Sequence, residues 1–279
     1  MKVVVCLNRI PDPEAPWKDV HLNENSTAPR LEGLDLVMGP FDENALEIAL
    51  QLRDSVGAHV TALSLGPTTN EEVLRRALAV RCNAAVHVKE DRAADLDSAA
   101  TARVLASAIR RMGEVKLVLC GRQVGDWDSG QVGQLLAEEL RFHCVTTVQK
   151  FERVGEQTVR LVKEISGGSV LMEARLPLAA TVTNTSSNQL RVARVKDLLA
   201  ARRAPITTWT VEDLGLPMSA LLEREGRVEV RRVRFPETRS RTRMIKTEDV
   251  EAAVEEIAQY ILGLKLLGEQ TGEPGGTLT

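Results

Sequence analysis

Aromatic residues are scarce in this chain: 3% of 279 residues, with a single tyrosine. The interior must therefore be built from Ala, Val, Leu and Ile, as suits a parallel sheet covered by helices. Neither charge sign dominates. A formal net charge of −3 gives no basic face for nucleic acid. The four cysteines (Cys6, Cys82, Cys120, Cys144) form no CxxC pair, and the four histidines (His21, His59, His87, His143) share no context, which excludes a zinc spacing. No window approaches the ~20 apolar residues of a membrane span. The N-terminal MKVVVCL runs straight into a strand, without the basic, apolar and cleavage regions of a leader, so a reduced cytoplasmic protein is expected.

What is present is alternation. Lys2–Leu7, Val60–Leu65, Ala84–Val88 and Val115–Cys120 are short apolar runs of strand character. Between them lie helical periodicities. Ala45, Ile48, Ala49 and Leu52 follow Asp42, which stands as an N-cap. Thr69–Glu72 reads as a capping box opening a helix through Ala79. Asp97 caps a helix carrying Ala100, Val104, Ala108 and Met112. Four strand–helix repeats predict an α/β fold with a doubly wound, mostly parallel sheet. Ligands of such sheets bind beyond the carboxyl ends of the strands. Residues 8–40 form a long irregular stretch with five prolines, a length that usually serves a function.

Gly121–Leu140, GRQVGDWDSGQVGQLLAEEL, is the most informative stretch. A buried strand precedes it. Val132, Leu135, Leu136 and Leu140 follow on one helical face. The loop between carries Gly121, Gly125, Gly130, two aspartates and Ser129. Such a turn offers free N–H groups and a positive dipole end to an anion such as phosphate. It is neither a Walker loop nor a GxGxxG turn, and an ordinary tight turn is the competing reading. Asp126 and Asp128 are loop-shaping rather than a magnesium pair, since no third carboxylate lies nearby in sequence.

After about residue 146 the texture changes. Val145–Arg153, Thr158–Glu164, Ser169–Leu176 and residues 179–183 read as an antiparallel extension with a closing strand. Val192–Leu199 reads as a short helix with Arg202 and Arg203 near its end. Residues 1–206 form the expected core, and 207–279 a C-terminal arm. The arm contains an edge strand at Arg227–Phe235, a helix capped by Thr247 and bearing Val250, Val254, Ile257, Ile261 and Leu264, and a disordered tail. The apolar face of that helix packs either on its own domain or on another chain.

Several segments together resemble the beta subunit of electron transfer flavoproteins. Val4-Val-Cys-Leu-Asn-Arg-Ile-Pro-Asp12 is similar to the family's first strand. Gly39-Pro-Phe-Asp-Glu-Asn-Ala-Leu-Glu47 is similar to its Asn-Pro-Phe/Tyr segment. Leu63–Pro67 and Leu74–Val80 match the next strand and helix. Gly121…Gly133 matches its nucleotide loop, Gly-x-Gln-x-x-Asp-x-Asp-x-x-Gln-x-Gly. Glu164–Gly168 resembles its Asp-Gly-Gly turn, and Asn188-Gln-Leu-Arg191 its Asn-Glu-Pro-Arg recognition segment.

The resemblance implies a Rossmann-like core of the adenine nucleotide alpha hydrolase type, and an arm that docks on an alpha subunit holding most of the FAD site. It implies an electron carrier without catalytic residues or metal, passing electrons from dehydrogenases, such as acyl-CoA dehydrogenases, to a quinone oxidoreductase or other acceptor. This subunit would hold a structural AMP or, in the electron-bifurcating branch, a second FAD. The implied nucleotide contacts are Cys6, Gly39, Pro40, Phe41, Asp42, Leu65, Gly121, Gln123, Asp126, Asp128, Ser129, Gly130, Gln131, Val132 and Gly133. The implied partner-recognition residues are Asn188, Arg191 and Val195. The chain departs from the family at Gly39 (for Asn), at Trp127, Ser129 and Gly130 (for Gly, Thr and Ala of the bifurcating branch), and at Leu190 and Val195 (for Pro and Leu). The competing class is an adenine-nucleotide hydrolase or adenylyl-transfer enzyme, with Arg122 or Arg9 as its phosphate-facing cation. A weaker alternative is a nucleotide-sensing protein with no partner subunit.

Overall fold

The computed structural model describes residues 1–16, 20–25, 27–125, 127–223, 228–235, 244–245 and 249–263. The chain divides into two units, Met1–Val233 and Arg234–Thr279. In the first, β1 (Lys2–Cys6), β4 (His59–Gly66), β5 (Ala84–Lys89) and β6 (Val115–Gly121) pair in parallel. Between them run α1 (Pro40–Val56), α2 (Glu71–Ala79) and α3 (Ser98–Met112). After α4 (Val132–Leu140), β7 (His143–Val154), β8 (Thr158–Ile165) and β9 (Gly168–Arg175) form an antiparallel meander. The chain then returns as β10 (Leu178–Val182), inserted in parallel between β6 and β7. With β11 (Thr207–Thr210) at one edge, the strand order of the nine-stranded sheet is β11-β5-β4-β1-β6-β10-β7-β8-β9.

Burial explains this order. β1 and β10 are covered on both faces, and most of their side chains are Val, Ala and Leu. One apolar layer joins Val3 and Val5 to Leu46, Ala49 and Leu74 of α1 and α2. The other joins Val4 and Cys6 to Val104, Ala108 and Leu136 of α3 and α4. The doubly wound α/β architecture read from the alternation is thus present.

Several local expectations change. Asp42 is not the cap of α1. Gly39 holds that position without a side-chain bond, and Asp42 lies inside the first turn. Thr69–Glu72 makes no capping box. Thr68–Asn70 is a 3₁₀ turn, and α2 starts at Glu71. The reason is Asn70, whose amide turns inward to donate to Ser64 Oγ (3.2 Å) and Leu65 O (3.0 Å). Asp97 does cap α3, accepting from Ala100 N–H at 2.9 Å. The irregular 8–40 stretch contains a two-stranded ribbon, β2 (Arg9–Pro11) against β3 (Leu36–Met38). The helix expected at 192–199 begins at Val195 and runs to Arg203 (α5).

The division drawn at 206 falls just before β11 (Thr207–Thr210), which pairs with β5 as an edge of the sheet. Residues 228–235, read as an edge strand, adopt no regular structure, and Arg227 lies outside the described residues. A short helix, α6 (Met218–Leu222), buries Leu221 in the α3-side layer. In the second unit, α7 (Val250–Gly263) carries exposed Val250, Val254, Ile257 and Ile261. Asp249 Oδ1 accepts from the Glu251 and Ala252 N–H groups at its start. Thr247, Leu264 and the tail lie outside the described residues. No described helix is long and apolar enough to cross a membrane.

Candidate functional site

Parallel pairing brings the carboxyl ends of β4, β1 and β6 side by side. Cys6, Leu65 and Gly121 mark these ends, and the Gly39–Asp42 turn lies over them. The Asp42 carboxylate draws the turn inward. It accepts from Asn8 N–H at 2.8 Å, just beyond β1, and from Gly121 N–H at 3.1 Å, at the end of β6. Asp42 is only 5% exposed. The approach is close enough to demand glycine at 121: a Cβ there would lie 2.5 Å from Asp42 Oδ1 and 2.8 Å from Phe41 Cβ.

The loop after Gly121 is braced internally. Arg122 lies over the Phe41 ring, 5.1 Å from its centroid, and donates from Nε to Gln123 Oε1 at 3.0 Å. Gln123 Nε2 donates to Asp128 Oδ1 at 3.0 Å, and Asp128 N–H returns to Val124 O at 2.9 Å. Asp128 therefore shapes the loop, at a φ of 48°. Ser129 Oγ lies 3.3 Å from Ser98 Oγ at the start of α3. Gln131 precedes α4 without capping it, and Val132 opens the helix. Gly133 then touches β10: a Cβ at this position would stand 2.3 Å from Thr181 Cγ2. Asp126 lies outside the described residues. Trp127, in the same loop, is 52% exposed.

Two helix N-termini thus point at the same strand ends, and they differ in charge. The first turn of α1 contains Asp42 and Glu43, whereas that of α4 contains no acid. The first N–H groups of a helix have no partner within it. Among the described residues, an anion reaching this edge therefore finds a carboxylate in the first turn of α1 and none in that of α4. The sequence-read residues Cys6, Gly39, Pro40, Phe41, Asp42, Leu65 and Gly121 come together here, and Gln123, Asp128, Ser129, Gly130, Gln131, Val132 and Gly133 follow in the loop and the start of α4.

Cys6, Cys82 and Cys120 are buried within the protein, whereas Cys144 is exposed. Cys120 is held protonated by its hydrogen bond with Cys6 and by burial. Burial likewise pushes the Cys82 thiol up to about 12 and raises Cys144. His87 is fully buried, with Nε2 against Gly66 O at 3.0 Å. Arg9 pairs with Glu72 at 2.8 Å, so both cations offered for the hydrolase reading have protein partners. Among the described residues no cluster of His, Cys, Asp and Glu could hold a metal.

The recognition residues separate. Asn188 is buried and donates to Gln149 O at 2.6 Å. Arg191 folds back on α1, donating to Glu47 (Nη2 at 2.7 Å, Nε at 3.0 Å) and to Asp54 (Nη1 at 2.6 Å). Val195 instead stands in solvent, 73% exposed. Sequence reading missed Asn44, Glu47 and Asp54, the α1 residues that hold this segment. A polar line at 44, 47 and 54 beside the apolar line 45, 48, 49, 52 was the available signal.

Comparison with known proteins identifies the family of the chain. Residues 31–214 match the electron transfer flavoprotein domain family. The electron transfer flavoprotein subunit beta of Clostridium acetobutylicum is 30% identical over 262 residues, covering 94% of this chain and 96% of the relative. Protein FixA of Azorhizobium caulinodans is 32% identical over 222 residues, 77% of each chain. The caffeyl-CoA reductase-Etf complex subunit CarD of Acetobacterium woodii is 31% identical over 221 residues, 79% of this chain and 82% of the relative. With a domain model matching 31–214 and relatives of about 30% identity covering most of its length, the chain belongs to the electron transfer flavoprotein family, on its beta-subunit and FixA branch.

Proposed function

We propose that this chain is the nucleotide-holding subunit of a heterodimeric, cytoplasmic electron carrier, and that its own nucleotide is AMP. The observation that carries this is the acid-free N-terminus of α4 beside an α1 whose N-terminus faces Asp42. The phosphate sits at Ser129–Gly133, where N–H groups and the helix dipole meet it. Gly39–Phe41, Cys6 and Leu65 line the nucleoside side, and Gln123 and Asp128 keep the loop in shape. The electron-carrying FAD is held mainly by an alpha subunit, and it supplies the one- and two-electron chemistry. This chain's part is to bind, orient and cover. α7 and the rest of the arm dock on that alpha subunit. Electrons enter from a dehydrogenase, of which an acyl-CoA dehydrogenase is one kind, and leave to a quinone oxidoreductase or another acceptor.

A second reading places a second FAD in this subunit, as part of a bifurcating complex. The half-exposure of Trp127 favours it, since an indole with solvent-accessible surface is suited to stacking on a flavin. The test is to purify the chain with its alpha subunit, denature the complex and identify what is released. AMP with one FAD per heterodimer supports the first reading, and two FAD the second. ATP consumption by the lone chain would sink both.

A further inference from the structure

α1 reaches from the nucleotide edge to a second region of the molecule. Its residues Asn44, Glu47 and Asp54 fall on one helical face. Asn44 Nδ2 bonds Asn184 Oδ1 at 3.2 Å, and Asn44 Oδ1 accepts Thr185 N–H at 2.9 Å. Glu47, 6% exposed, accepts the Arg191 backbone N–H at 3.1 Å as well as its guanidinium. Asp54 takes the other branch of the same guanidinium. A planar guanidinium held by two carboxylates, with its own N–H tied to one of them, fixes both the side chain and the backbone of residue 191. The ion pairs leave their mark on both partners. The Arg191 pKa rises, chiefly through Glu47, and Asp54 lies below the usual carboxylate range, chiefly through Arg191.

Immediately after this fixed point the chain turns outward. Val192 is 94% exposed and Val195 is also in solvent. Arg194 and Lys196 flank Val195 in sequence and are exposed, as are Arg202 and Arg203 at the other end of α5, while Asp197, the acid among them, is paired with Arg81 at 3.0 Å. The complementary surface is an apolar cleft rimmed by carboxylates on a partner protein.

We propose that Glu47 and Asp54 are positioning residues for partner recognition: through Arg191 they hold the 184–191 segment on α1, so that Val192 and Val195 are presented in one conformation to the acid-rimmed apolar cleft of an electron-donating dehydrogenase. This rests on the electron-carrier reading above. Holding two valines ready spares the partner the ordering cost of a loose loop. The device therefore acts on affinity, not on the rate of electron transfer once docked.

The experiment uses the assembled heterodimer as electron acceptor for an acyl-CoA dehydrogenase and its acyl-CoA, with flavin bleaching as the signal. Glu47→Gln is expected to raise the KM for the heterodimer about tenfold, with kcat and nucleotide content unchanged and with faster amide exchange at 188–195. The exposed Asp54→Asn, which disturbs no buried group, is expected to raise it about threefold. Glu47→Asp is expected to restore part of the loss. Val195→Asp serves as the control for the docking surface itself. A raised KM for Val195→Asp with none for Glu47→Gln or Asp54→Asn overturns the positioning role and leaves recognition standing. No change in any variant overturns recognition at this segment and the positioning role with it. If the wild-type heterodimer accepts no electrons from this donor, the donor assignment is at fault. Amide exchange then decides, and unchanged exchange at 188–195 in Glu47→Gln overturns the proposal.

Discussion

Two turns meet at the carboxyl edge of the sheet, and they handle the same electrostatic situation in opposite ways. At the Gly39–Asp42 turn the chain supplies its own anion: Asp42 gathers the Asn8 and Gly121 N–H groups and lies in the first turn of α1. At the Gly121–Val132 turn the carboxylate Asp128 is turned to Gln123, and α4 begins without an acid. A helix N-terminus favours negative charge within its first turn. The first turn is therefore a structural joint, closed by the protein, and the second is the one we propose as the binding element. Glycines at both turns and a shared place in the fold do not distinguish them; the position of one carboxylate does.

This contrast can be broken in graded steps. The largest expected effect comes from Ser129→Arg, which fills the space in front of α4. Bound nucleotide should disappear from the purified heterodimer while circular dichroism stays that of a folded sheet; retained nucleotide would disprove the phosphate placement. Next is Asp42→Ala, which opens the joint and leaves two partly buried N–H groups without their acceptor. A loss of about 2–4 kcal/mol is expected in urea unfolding, and a loss below 1 kcal/mol would mean that Asp42 is not what closes the turn. Gln131→Glu would make α4 resemble α1 by setting a carboxylate at its N-terminus. Nucleotide should bind roughly tenfold more weakly, about 1.4 kcal/mol, as read by equilibrium dialysis, and equal affinity would place the phosphate elsewhere.

The smallest effect is a pH response at the far end of α1. Asp54 has a folded pKa below its ordinary value of 3.8. Its pairing with Arg191 therefore contributes stability that is present above that value and is lost as pH falls through the lower folded pKa. Comparing wild type with Asp54→Asn by thermal unfolding, the difference should hold steady from about pH 6 to 8 and close only below about pH 4. A difference that changes near neutrality would point to another titrating group.

The parallel core was legible because its signals are local or periodic: apolar runs, helical spacings, and Asp97 three residues from the N–H it caps. The loop at 121–133 was legible by composition and by resemblance. Asp42 was misjudged because its partners are 34 and 79 residues away, so in sequence it looked like any acid before an apolar helix. The same distance hid Glu47, whose partner Arg191 is 144 residues on. The capping box at Thr69–Glu72 failed for a related reason, since a buried Asn70 bonded to Ser64 dictates the turn more firmly than a local cap. Thr207–Thr210 was counted with the arm because its partner β5 lies far upstream.

The contact between Gly133 and Thr181 has a consequence for the order of assembly. α4 rests on β10, yet β10 follows it in the chain only after the whole β7–β8–β9 meander. On a ribosome, the nucleotide loop and its helix emerge complete while the strand beneath them has still to be made. Closing this long-range pairing is an intrinsically late event. The edge proposed to hold the nucleotide is therefore completed only once β10 lies between β6 and β7, so a nascent chain ending before residue 182 should carry the loop sequence and hold no nucleotide.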